Sequence, residues 1–303
     1  MGDYHVHIHP HVPGPGDPEP GTFPPEHIER YVDQALERGV DEVCFTEHLY
    51  RMREAGPVLG EFWAGESEDV AAPTRRFVTE ERNLPIDGYV TAVTEAKDRG
   101  LPVLLGLEVD FFPNTVDAVL DLLDPYPWDL LLGSVHWIGG FAIDVDDVIH
   151  EFDRRGVDQV YERYFALEVE LARSGTVDVL AHADLVKNHG HRPTRPMDAW
   201  YAEVAAAAAE SGTAVEVSSA GLGEPCAEIY PAPDFLTAFK RAGVAITMAS
   251  DAHRPSGTAW AFDEVAAAAR NAGYTERLAI AGRKGTPVPL PAPRDMVTAP
   301  EPR

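Results

Sequence analysis

Apolar runs alternate along the chain with longer stretches of helical period. The runs span about 40–46, 102–107, 128–135, 177–181, 214–218 and 244–249. Short, nearly continuous runs of this kind are how strands buried on both faces read. Before the first of them, Asp3-Tyr4-His5-Val6-His7-Ile8-His9 alternates with period two and adds a seventh strand. Helical patterns are predicted at about 24–38, 84–99, 115–123, 158–174, 196–211, 233–242 and 258–272. In the first of these, Ile28, Tyr31, Val32, Ala35 and Leu36 share one face. Gly39, Gly100, Gly175, Gly212 and Gly243 close five of the helices.

Strands that alternate with helices predict a parallel sheet covered on both faces, and seven such units favour closure into a barrel. The expected fold is therefore α/β, a distorted seven-stranded (β/α)7 TIM-like barrel over residues 1–282. Residues 50–83 have no clear period and read as an insertion or lid. Residues 283–303 read as a Pro-rich C-terminal tail.

The polar residues are not scattered evenly over this pattern. His5 with His7, His48, Glu108, His136, His182, and Asp251 with His253 sit at or near the C-terminal ends of predicted strands. Barrel enzymes assemble their sites at that end. Alone, a strand-end histidine such as His136 or His182 is more often a hydrogen-bonded core residue than a ligand. Glu108 ends an apolar run, where a carboxylate is expensive to bury unless paired or metal-bound. Asp251 and His253 have the i, i+2 spacing of a same-face pair. Together the set points to a multinuclear metal site, in which carboxylates can bridge ions. Other polar residues read as ordinary surface: His27 and His150 as solvated and Glu80-Glu81-Arg82 as a solvated face; His189 and His191, flanking Gly190, read first as surface loop, with facing the substrate as the alternative.

Composition narrows the partners. The chain has 303 residues, is 45% hydrophobic and carries a formal charge of −25. A surface that acidic repels nucleic acid and anionic lipid, and it repels anionic substrates unless bound cations draw them in. Neither a nucleic-acid partner nor a membrane is expected. Two cysteines, Cys44 and Cys226, imply no disulfide framework and fit a reducing cytoplasm. No signal peptide and no membrane span is read from the sequence.

Six motifs, in order, resemble the polymerase-and-histidinol-phosphatase (PHP) superfamily: Tyr4-His5-Val6-His7, Thr46-Glu47-His48, Gly106-Leu107-Glu108-Val109-Asp110, Gly133-Ser134-Val135-His136, Ala181-His182-Ala183-Asp184-Leu185 and Ser250-Asp251-Ala252-His253. Leu107–Phe111, His182–Lys187 and Glu228–Pro233 are most similar to its monofunctional histidinol-phosphatase branch, and Arg254-Pro255 fits it too. The resemblance implies a trinuclear site. His5, His7, Glu108 and Asp251 would hold one ion, and Glu108, His136 and His182 a second. A first-loop histidine, His48 and His253 would hold a third. His9 and His11 compete for the first-loop place, and His11, beyond the strand end, is favoured. Where the branch commonly carries a basic residue after the sixth strand's Gly-Leu, this chain has Gly223 after Gly221-Leu222.

The expected activity is metal-dependent hydrolysis of a small phosphate monoester, which the resemblance implies is foremost L-histidinol phosphate. It would use a water activated between divalent ions, which His/carboxylate sites accept as Zn, Mn or Fe alike. Arg254 and Lys187 are the expected phosphate clamps, and Asp184 the group that orients a ligand or protonates the leaving alkoxide. The alternatives are another small phosphate ester such as a nucleotide or sugar phosphate, a phosphodiester, metal-dependent amide or ester hydrolysis, and a non-catalytic metal-binding scaffold or accessory module.

Overall fold

The computed structural model describes residues 1–292 of the chain. Eleven strands are present among them: β1 (Gly2–Val6), β2 (Glu42–Phe45), β3 (Val103–Asp110), β4 (Leu130–Ser134), β5 (Trp137–Ile138), β6 (Phe141–Ala142), β7 (Val179–Leu180), β8 (Ala214–Ser218), β9 (Ile246–Ala249), β10 (Glu276–Ala281) and β11 (Lys284–Pro289). Seven of them form one parallel sheet in the order β1-β2-β3-β4-β7-β8-β9. The first and last strands meet beyond their C-terminal ends, where His7 N donates to Ala252 O at 2.8 Å and Asp251 N to His5 O at 2.8 Å. The sheet is thus a nearly closed (β/α)7 barrel, and its seven strands are those read from the six apolar runs and the alternating N-terminal stretch. The helices covering it, Pro25–Glu37, Ile86–Asp98, Val116–Leu123, Val157–Ser174, Asp198–Ser211, Pro233–Ala242 and Phe262–Asn271, match the periodic stretches.

Period two divides each strand between two cores. On β3, Leu105, Leu107 and Val109 join the large apolar layer between sheet and helices. Leu104 packs inside the barrel with Tyr4, Cys44, Leu130, Leu132, Val179, Ala214 and Ile280. Above this inner layer the same face of β3 turns polar, at Glu108 and Asp110. Gly106 lies between, where a Cβ would come within 2.7 Å of the Thr46 side chain and 2.8 Å of the Cys44 sulfur. Only glycine lets β2 and β3 sit that close beneath the polar layer.

Two regions differ from the sequence reading. Residues 50–83 are folded, with helices Ala55–Leu59 and Glu68–Glu81. The latter is anchored by Thr74 Oγ1 donating to Gly140 O at 2.7 Å. Pro73 and the glycines at 60 and 65 interrupt the period that would have announced these helices. The Pro-rich tail does not begin at 283: β10 and β11 form an antiparallel hairpin across that position. β11 pairs with β10 alone, and an edge strand tolerates Pro287 and Pro289 because their missing N–H groups are not needed. The remainder of that expected tail, 293–303, lies outside the described residues. The hairpin covers the N-terminal end of the barrel: Ile280 N donates to Tyr4 Oη at 3.2 Å, and Arg283 binds both Asp178 carboxylate oxygens at 3.0 and 3.1 Å. Among the described residues no helix is long and apolar enough to cross a membrane.

Candidate metal centre

The C-terminal strand ends converge on the carboxylate of Glu108, which is fully buried on β3. Five imidazoles surround it. His48 Nδ1 lies 2.6 Å from Oε2, His5 Nε2 3.4 Å and His7 Nε2 3.6 Å from the same oxygen. His182 Nε2 lies 2.9 Å and His136 Nε2 3.3 Å from Oε1. Asp251 Oδ1 adds a second carboxylate 3.1 Å from His7 Nε2 and 3.5 Å from His5 Nε2. Donor atoms close enough to share an ion fall into four overlapping groups: His5, His7 and Asp251; His5, Glu108 and His182; His48, Glu108 and His136; and His7, His48 and His253. Glu108 belongs to two of them, the arrangement of a bridging carboxylate.

A cation fits this cluster better than hydrogen bonding does. His5 Nε2 and His7 Nε2 face each other at 3.0 Å, and His48 Nε2 faces His253 Nε2 at 3.4 Å. His5 Nε2 and His7 Nε2 also both point to Glu108 Oε2 and Asp251 Oδ1, so protons alone do not satisfy that pair. Glu108 Oε2, Asp251 Oδ1 and His7 Nδ1 are buried without hydrogen-bond partners. Burial would raise the Glu108 carboxyl, but His48, His136 and His5 outweigh it and hold the group well below its usual range. Asp251 behaves likewise, with His5 and His7 overcoming burial. Burial, with His7 nearby, holds His48 and His253 well below 6.5. Against burial, the neighbouring carboxylates hold His5, His7 and His136 above their usual range, so ion binding there would release protons and weaken as pH falls.

A second layer orients the first. Glu216, fully buried on β8, accepts from His5 Nδ1 at 2.9 Å and from the His182 backbone N at 2.8 Å. Asp110 Oδ1 lies 2.8 Å from His136 Nδ1, while its Oδ2 accepts from Tyr50 N. Each fixes a tautomer with the proton on Nδ1 and so leaves Nε2 free to ligate. Sequence reasoning missed both carboxylates as site residues. Asp110 stood in a recognised motif, and a glutamate in the middle of the apolar run Ala214–Ser218 was the signal for Glu216.

The structure separates the two first-loop histidines. His9 is buried, with Nδ1 3.3 Å from Glu47 Oε1 and its ring edge-on to Phe23. The half-exposed His11 ring lies 4.6 Å from the His253 ring and 5.3 Å from that of His48. Arg51, almost fully buried, holds this loop by donating to His9 O at 2.8 Å and to Pro10 O at 3.3 Å. It also pairs with Glu81 at 3.0 Å, and Glu81 approaches His11 Nδ1 at 3.4 Å. Glu81 is therefore not part of a solvated face: it pairs with the buried Arg51 guanidinium. His27 is not solvated either, being buried with Nε2 3.1 Å from Ile8 O.

The expected catalytic trio stands apart from the cluster. Lys187 is buried and donates to Asp184 Oδ2 at 2.8 Å, Glu228 Oε2 at 2.8 Å and Ile229 O at 2.7 Å. Asp184 Oδ2 also accepts from Ala232 N. Arg254 donates to Val12 O at 2.6 Å and pairs with Asp17 at 3.1 Å. None of the three lines the cavity above the cluster. Both cations find backbone and carboxylate acceptors of their own, and Asp184 is taken up by Lys187 and Ala232 N. That cavity, about 550 Å³, is bounded by His48, His136, His182, Asp251 and His253 below. Tyr50, Phe77, Trp137, Asp144, Asp146, Asn188, His189, Glu224 and Tyr230 form its walls. His189, read as a surface-loop residue, is thus a wall residue with a nearly buried side chain.

A family model described as PHP domain matches residues 25–220. A probable histidinol-phosphatase of Deinococcus radiodurans is 32% identical over 243 residues, covering 80% of this chain and 86% of that protein. The histidinol-phosphatase of Lactococcus lactis subsp. lactis is 23% identical over 295 residues, covering 93% and 95%. A crystal structure of histidinol phosphate phosphatase from the same organism, complexed with zinc, L-histidinol and phosphate, superposes with a TM-score of 0.70 at 20% identity. That match covers 94% of this chain and 98% of that one, and it is a likeness of fold.

Proposed function

The chain belongs to the PHP domain family, and from that membership and the site we propose that it is a metal-dependent phosphatase hydrolysing L-histidinol phosphate to L-histidinol and phosphate. The observation that carries this reading is the ring of five imidazoles around the Glu108 carboxylate, with Asp251 beside it. His5, His7, Glu108 and Asp251 would hold one divalent ion, Glu108, His136 and His182 a second, and His11, His48 and His253 a third. Zn, Mn and Fe all suit such donors. When bound, the ions supply polarisation of the phosphoryl oxygens and a lowered pKa for water.

The remaining work falls to the chain itself. Glu216 and Asp110 present Nε2 of His5 and His136 to the ions in a fixed tautomer. The Asp184–Lys187 pair clasps the segment that follows His182 to the backbone of Ile229 and Ala232, and so holds that ligand in place. Arg254 tethers the first loop through Val12 and Asp17, which steadies the approach of His11 to His253. Phe77 and Trp137 on the cavity wall limit water around the leaving group.

The test is phosphate release from L-histidinol phosphate, a nucleoside monophosphate, a sugar phosphate and 4-nitrophenyl phosphate, before and after chelation and metal return. The expected outcome is preference for L-histidinol phosphate, loss of turnover on chelation and recovery with a divalent ion. Full activity in metal-free protein would overturn the proposal, and preference for another ester would reassign the substrate.

A further inference from the structure

The cavity wall above the metal centre differs from what a phosphate alone would ask for. Among the described residues that line it there is no lysine and no arginine, while Asp144, Asp146 and Glu224 are all present. An acidic cluster alone is common on so acidic a protein. His189 gives the second observation. Its side chain is only 7% exposed, its Nδ1 lies 3.7 Å from Asp146 Oδ1, and its buried Nε2 has no hydrogen-bond partner. Asp146 is the carboxylate nearest Nδ1, and in the tautomer with the proton on that nitrogen Nε2 carries a lone pair and is an acceptor. Every polar group that these four side chains offer to the cavity is therefore an acceptor.

We infer that Asp144, Asp146, Glu224 and His189 form a subsite for the positively charged, N–H-bearing part of the substrate's leaving group, and so set its specificity. This inference rests on the phosphatase reading above. The phosphoryl group is served by the metal centre; the organic half meets carboxylates and one imidazole lone pair. Protonated amines and imidazoliums supply the matching donors, and a charge-assisted bond to a carboxylate is the stronger kind. Sugar bisphosphates and nucleotides would set anionic groups or acceptors against the same wall, and like charges there are repelled. Trp137 and Phe77 leave apolar surface beside the acceptors for a flat ring.

The test uses the metal-loaded, full-length protein. For wild type, Asp144→Asn and Glu224→Gln, kcat/KM is measured for L-histidinol phosphate and for 4-nitrophenyl phosphate, whose leaving group carries no cation. Metal content and Tm are recorded for each. The ratio of the two kcat/KM values is expected to fall by about tenfold or more in each variant, as one charge-assisted bond is lost. The inhibition constant of L-histidinol is expected to rise by a similar factor relative to that of inorganic phosphate. An equal fall on both esters, or an unchanged histidinol inhibition constant, would overturn the subsite. If a variant does not fold, wild type alone decides: equal efficiency on L-histidinol phosphate and glycerol 3-phosphate would overturn it. Wild type that hydrolyses none of these esters would instead overturn the phosphatase reading.

Discussion

On the inward face of β3, Leu104 packs against Cys44, Leu130 and Ile280, while four residues further on Glu108 is ringed by five histidines. β8 makes the same change in two residues, from Ala214 in the apolar layer to Glu216 beneath His5 and His182. The two ends of the barrel are thus made by the same strands with opposite chemistry. At the N-terminal end the polar groups pair locally: Arg283 with Asp178, Lys97 with Asp129 at 2.6 Å, and Tyr4 with Glu42 at 2.8 Å. At the C-terminal end carboxylates and imidazoles crowd together and remain incompletely satisfied. One end spends its polar residues on stability, and the other holds them ready for a ligand.

Glu108→Ala tests this contrast most severely, because it removes the carboxylate shared by two donor groups. Turnover should fall by about a thousandfold or more, and metal content measured by elemental analysis should fall with it. Retained metal with retained turnover would break the contrast at its centre. At the other end, Arg283→Ala should leave kcat/KM unchanged and lower stability by about 1 kcal/mol, in the range of a surface ion pair with good geometry. Thermal unfolding should register a drop of roughly 2 °C. A loss of activity there would mean that the two ends are coupled.

The smallest effect concerns Glu168, buried in the helix Val157–Ser174, whose carboxylate oxygens lack hydrogen bonds. Burial pushes this carboxyl well above 4.5, and Asp184 adds to the push. The native state then keeps a proton that the unfolded chain gives up, so the group makes stability fall as pH rises above about 4.5. Glu168→Gln should flatten that slope. Its Tm relative to wild type should be most favourable at the highest pH measured and the advantage should shrink toward pH 5. A parallel pair of Tm curves would show that Glu168 is not held protonated.

The barrel was legible because its strands are buried on both faces and read as apolar runs, and because glycines close five of its helices. The hairpin β10–β11 was not, since Pro287 and Pro289 argue against a strand unless it is known to lie at an edge. Histidines and acids at strand ends were legible for the same reason as the strands: period and position locate them. Residues whose role depends on who sits opposite were misread. Lys187 and Arg254 read as phosphate clamps, and Glu81 as a surface acid, because sequence does not show the Ile229 carbonyl, the Val12 carbonyl or the Arg51 guanidinium that engages each. His189 reads first as loop, with facing the substrate only as the alternative, because the carboxylate beside it, Asp146, lies more than forty positions away.

The barrel's seam also has a meaning in time. Asp3 accepts from both Ser250 N and Ser250 Oγ, 247 positions along the chain, and the same junction brings His5 and His7 to Asp251. A growing chain makes His5 and His7 long before Asp251. A cation site that needs both halves would stay incomplete until β9 has been made and the seam has joined.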